Sequence, residues 1–175
     1  MALRTTAVLL AALITAGSNA ETGTVGPATF DFMLGKWTSE SRWLQPDQTT
    51  VTRPSRHHFY RAFGGQGMID DNTQLTGDQY IYFGSAIRIY DPQAKHWLCR
   101  WFNAATSSWG PDFTLAFKDG KMTGQTPGED THGQYVDTIT FDPVSYERVE
   151  WRLMRQYKTL SKPMEIGAID YQRVR

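Results

Sequence analysis

The chain has 175 residues, with 18 Lys and Arg against 18 Asp and Glu, and 40% of it is apolar. That length fits one domain, and the apolar share is ordinary for a soluble globule. The even charge excludes the basic excess expected of a nucleic-acid binder and gives no reason to expect electrostatic steering of a partner.

The first twenty residues read as an address. Arg4 supplies a short positive region, and residues 7–16, AVLLAALITA, form an apolar stretch of ten. Ser18 and Ala20 then put small residues at the −3 and −1 places of a cut after Ala20. This is the pattern of a secretory signal peptide, too short for a resident membrane span. No Cys follows the cut, which argues against a lipid anchor. No later segment is long and apolar enough to cross a bilayer. The expectation is an exported product of residues 21–175 with no stable membrane insertion.

Residues 21–29 are rich in Gly, Thr and Pro and read as a loose lead-in. Residues 30–35 fit one short helical turn closed by Gly35. From there alternation of period two dominates. It predicts strands over 36–44, 50–62, 66–72, 80–90, 95–103, 112–118, 121–125, 133–141, 146–156 and 164–174. Turn chemistry separates them at Gln45-Pro46-Asp47, Gly64-Gly65, Asp91-Pro92, Gly110-Pro111, Thr126-Pro127-Gly128 and Asp142-Pro143. Lys118-Asp119-Gly120-Lys121 is a two-residue hairpin signal. About ten short strands in one domain over 30–175 make an all-β antiparallel meander, either a sandwich or a closed barrel.

Charge assigns the faces. Trp37, Ser39, Ser41 and Trp43 oppose Thr38, Glu40, Arg42 and Leu44, so the Trp face points in. Trp97, Cys99, Trp101 and Asn103 oppose Leu98, Arg100 and Phe102. Val149, Trp151 and Leu153 oppose Glu150, Arg152 and Met154. A wall of this kind suits a filled core or a pocket for a flat apolar ligand. Leu44, Leu98, Phe102 and Met154 on outer faces are candidates for an interface between two copies.

Chemistry-bearing residues are few. Cys99 is the only cysteine, so it makes no intramolecular disulfide and reads as a small buried hydrophobe. His57 and His58 adjoin on a strand and point to opposite faces. His57, sharing a face with Phe59, is placed inside. Asp137 alternates with Tyr135, Ile139 and Phe141. A His57–Asp137 pair would suit hydration, dehydration or isomerisation chemistry. The four His show no zinc spacing, and there is no nucleophile elbow, phosphate loop or dinucleotide fingerprint.

Several motifs occur in a telling order: Phe30-Asp31-Phe32-Met33-Leu34-Gly35-Lys36-Trp37, Gly64-Gly65, Ala86-Ile87-Arg88-Ile89-Tyr90-Asp91-Pro92, Trp97 through Asn103, and Phe117-Lys118-Asp119-Gly120-Lys121. In that order they resemble the DUF1579-type, lipocalin-like proteins of the calycin superfamily, many of them bacterial. A Ser-x-Asp-Gly-Gly hairpin of that family is replaced here by residues 157–163. The resemblance implies an up-and-down β-barrel with an open mouth and a central cavity. It implies that Trp37 closes the base under an Arg, with Arg88 as the candidate. No His follows His132, so the haem ligand of the related nitrobindins is missing and no cofactor is expected. The ligand-lining candidates are Trp43, His57, Phe59, Trp101, Asn103 and Trp151. The expected function is an exported barrel that binds a small hydrophobic or aromatic molecule. The alternatives are a cofactor-independent enzyme using His57 or Asp137, and a structural homodimer.

Overall fold

The computed structural model describes residues 26–175. The signal-type segment and residues 21–25 of the lead-in lie outside the described residues. Period-two alternation becomes eleven strands: β1 (Gly35–Leu44), β2 (Thr50–Ala62), β3 (Gly67–Thr76), β4 (Gln79–Asp91), β5 (His96–Asn103), β6 (Ser108–Trp109), β7 (Phe113–Lys118), β8 (Lys121–Asp130), β9 (Gly133–Ser145), β10 (Arg148–Tyr157) and β11 (Met164–Arg173). Every pairing is antiparallel. β1 pairs with both β2 and β11, and the β4–β5 pairing closes the ring. Ten strands form this closed barrel, and the two-residue β6 hangs on the end of β5. Closure removes the open sheet edges that would otherwise template aggregation.

The predicted strands are present, and the differences have local causes. Thr126-Pro127-Gly128 is not a turn but part of β8. β7 pairs with β8 only over Ala116–Lys118, so among the described residues Pro127 has a ladder partner in β9 alone. An edge of this kind tolerates a residue without an N–H. Asp142-Pro143 likewise lies inside β9, beside the register shift between Arg148 and Val149, and a bulge also accommodates proline. The turn falls instead at Tyr146-Glu147. The expected helical turn is a 3₁₀-helix over Pro27–Met33, starting earlier because Pro27 occupies its first position.

That 3₁₀-helix plugs one end of the barrel. Phe30 and Met33 are fully buried, and Phe30 meets Phe141 and Trp97 edge-on at 5.1 and 5.6 Å. Burying one such side chain stabilises the fold by roughly 1.5–3 kcal/mol. Arg61 holds the plug from outside, pairing with Asp31 and donating to Pro27 O at 3.0 Å. Trp37 Nε1 donates to Met33 O at 2.7 Å.

The cation over Trp37 is Arg173, not Arg88. Arg173 sits 4.1 Å from the Trp37 ring and donates to Phe32 O at 2.7 Å. The reason is register: Trp37 and Arg173 are direct partners across β1 and β11, which puts their side chains on one face. Arg88 lies elsewhere, among the rings of Phe30, Phe59 and Phe141.

Candidate functional site

Above the plugged base the barrel encloses a cavity of about 470 Å³, within the range of small-molecule sites. Its walls are aromatic and its floor is charged.

The walls follow from the ring order. β5 and β11 stand five steps apart in either direction, so they face each other across the barrel. Trp101 on β5 forms one wall with Phe83, ring centroids 5.9 Å apart. Phe83 is the extra residue of the β3–β4 register shift after Asn72, which lets it reach the cavity. Trp43 and Trp151 form the facing wall, 5.5 Å apart. Two glycines seat these rings. A Cβ on Gly167 of β11 would lie 2.6 Å from Trp43 and 3.2 Å from Trp151. A Cβ on Gly84 would lie 2.6 Å from the Trp101 ring. Only a residue without a side chain lets the indoles lie against the strand in this way.

The floor is a diagonal line of three side chains across β2, β3 and β4. In the ladders His57 faces Asn72, Asp70 faces both Phe59 and Ala86, and Arg88 faces Met68. His57, Asp70 and Arg88 are therefore diagonal neighbours, within reach of one another. His57 Nδ1 lies 3.1 Å from Asp70 Oδ1. A carboxylate only accepts, so Nδ1 carries the proton and Nε2 is left over. Arg88 Nη2 lies 3.8 Å from Asp70 Oδ2, too far for a direct hydrogen bond. His57, Asp70 and Arg88 are 3%, 3% and 4% exposed. Among the described residues, His57 Nε2, Arg88 Nε and Nη1, and Asn72 Oδ1 have no hydrogen-bond partner. A buried polar group without a partner is costly, and so many at one place mark a site.

The surrounding groups are quiet. Tyr171 packs edge-on against His57 at 4.8 Å. Burial, reinforced by the Asp70 charge, holds its phenol well above the ordinary range. Ser39 and Ser41 each hydrogen-bond Ser55 at 2.8 Å, so these inward hydroxyls satisfy one another. Burial pushes the Cys99 thiol up to about 12, with Arg88 opposing. Among the described residues no group of three His, Cys, Asp or Glu side chains is arranged to hold a metal.

Of the residues singled out in the sequence, Trp43, His57, Trp101, Asn103 and Trp151 stand on the cavity lining. Phe59 does not. It lies in the base, 1% exposed, its ring stacked against His57 at 6.0 Å. His58 is exposed on the outer face and leans on Tyr60. The His57–Asp137 pair of the alternative, enzymatic reading does not form. Asp137 takes both oxygens to Arg155, each at 2.8 Å, and Arg155 also reaches Asp130 at 2.9 Å. The cross-strand register Arg155↔Asp137 dictates that partnership. Asp70, Asn72 and Gln74 were not singled out, although all three are buried and line the cavity. The available signal was strand parity, which puts them on one face with Met68.

No protein-family model matches the chain, and no curated protein matches it. Among solved structures it is similar to the S-type phycobiliprotein lyase CPES from Guillardia theta. The TM-score is 0.57 at 8% identity, over 83% of this chain and 90% of that chain. That likeness shows the fold. The molecule has a lipocalin-like β-barrel fold.

Proposed function

We propose that this chain is an exported binding protein that holds a small, flat, aromatic or hydrophobic molecule in its barrel. The observation that carries the reading is the cavity of about 470 Å³ between two facing tryptophan walls. Likeness to a lyase with the same barrel supports use of the cavity for a small molecule. The motif order from Phe30 to Lys121 supports grouping the chain with the DUF1579-type proteins. Export rests on the pattern of residues 1–20, and it predicts a mature N-terminus at Glu21, readable by N-terminal sequencing.

Titration with two- and three-ring aromatics, followed by intrinsic fluorescence, tests binding. Saturable quenching is expected because three tryptophans touch the cavity. Trp101→Ala should weaken binding about tenfold, the scale of one lost aromatic contact. Absence of saturable binding, or a Trp101→Ala affinity equal to wild type, would overturn the reading.

One feature favours a second use, pairing of two copies. Leu98 and Trp109 are 48% and 49% exposed. Beside them Tyr60, Ile69, Ile87 and Phe102 line an outer groove that also holds Trp109. Exposed apolar surface of this kind marks interfaces. Sedimentation velocity decides it: a dimer broken by Trp109→Lys supports pairing, and a monomeric wild type removes it.

A further inference from the structure

Aromatic walls need no cation beneath them, yet Arg88 lies at the foot of this cavity. Burying a guanidinium is expensive unless its charge and donors are matched. The matching here is incomplete. Three rings, Phe30, Phe59 and Phe141, surround Arg88 at 5.4, 5.5 and 5.5 Å and offer only cation–π attraction. Asp70 stands 3.8 Å away and is already engaged by His57 at 3.1 Å. Nε and Nη1 of Arg88 have no partner among the described residues, although the side chain is 95% buried.

We propose that the barrel selects an aromatic carboxylate. The ring system lies between Trp101 and the Trp43–Trp151 pair, and the carboxylate sits on the floor against Arg88. This rests on the binding reading above and specifies the ligand for it. A carboxylate brings one negative charge and acceptors only, which complements an undercompensated cation with idle N–H groups. A phosphate ester offers the same acceptors, but it carries up to two charges against one guanidinium already shared with Asp70. That favours the carboxylate. Ala86, small and opposite Asp70 in the ladder, lines the cavity and leaves room over the floor.

The experiment is a set of fluorescence titrations of the full chain with 2-naphthoate, 2-naphthamide and 2-naphthyl phosphate. The amide keeps the shape and removes the charge. Naphthoate is expected to bind at least tenfold tighter than the amide and tighter than the phosphate. Arg88→Met should erase that preference, weakening naphthoate at least tenfold and more than it weakens the amide. Asp70→Asn should strengthen naphthoate severalfold, because it removes the competing carboxylate. Equal affinity for acid and amide in wild type overturns the proposal, as does a preference that survives Arg88→Met. Phosphate binding tightest overturns the carboxylate assignment. Where circular dichroism shows Arg88→Met unfolded, the wild-type ratio and the Asp70→Asn titration decide, and naphthoate affinity unchanged in Asp70→Asn counts against it. Failure of all three compounds to bind removes the underlying binding reading instead.

Discussion

Cys99 shows what the interior does to a reactive group. The thiol is buried on β5 with 3% exposure, and desolvation pushes it up to about 12 while the Arg88 charge pulls the other way. Raising an acid's pKa keeps it protonated, so the thiolate is scarce wherever the fold persists. Near pH 8 the thiolate fraction falls roughly a thousandfold below that of a free cysteine. Ellman's reagent should therefore label native protein about a thousandfold more slowly than protein in denaturant. Labelling at the denatured rate would show that the site is open. The alternation Trp97-Leu98-Cys99-Arg100-Trp101 was enough to place this residue, because Arg100 marks the outer face. Asp70 escaped the same logic. Asp70 and Asp71 are adjacent, so a charge falls on each face of β3 and neither face is marked. A charged residue pointing inward is what a ligand cavity adds to a β-barrel, and patterning by polarity reads it as surface.

At the level of elements, the base depends on how the 3₁₀-helix is fastened. Arg173 covers Trp37 at 4.1 Å and donates to the Phe32 carbonyl at 2.7 Å and the Tyr146 carbonyl at 2.9 Å. It thus joins the plug, β1 and the β9–β10 turn at one point. Replacing Arg173 with Met keeps the aliphatic stem and removes the charge and the donors. The expected loss is about 2–3 kcal/mol from one cation–π contact and the carbonyl bonds. Urea unfolding measures it as a lower midpoint with an unchanged slope. A midpoint equal to wild type would mean that packing of Phe30 and Met33 holds the plug alone. The sequence motif led to the Trp but to the wrong arginine. Nothing local to Arg88 or Arg173 separates them, and only the β1–β11 pairing, across 136 positions of chain, decides. Strand ends slipped for a related reason. Pro127 and Pro143 look like terminators locally, yet each sits where the ladder does not require its N–H.

The site belongs to the whole barrel rather than to any segment. Alternation announced inward tryptophans, but whether they meet in a filled core or face each other across a space depends on closure. Closure comes from the β4–β5 pairing, which sets β5 opposite β11. The base is filled by Phe30, Met33, Trp97, Leu115 and Phe141, whereas the levels above carry the small side chains of Ser39, Ser41 and Ala86 and none at all at Gly84 and Gly167. The same asymmetry couples ligand to stability. A molecule that binds only the closed barrel stabilises it by about 2.7 kcal/mol at one hundred times its Kd. For a domain of this size that corresponds to a rise in Tm of roughly 5–10 °C. Thermal scans followed by circular dichroism, run with an aromatic ligand at that excess, should show the rise in wild type. They should show a smaller one in Trp101→Ala at the same concentration. A ligand that saturates the fluorescence signal yet leaves Tm unmoved would bind folded and unfolded chains alike, and the cavity would not be its site.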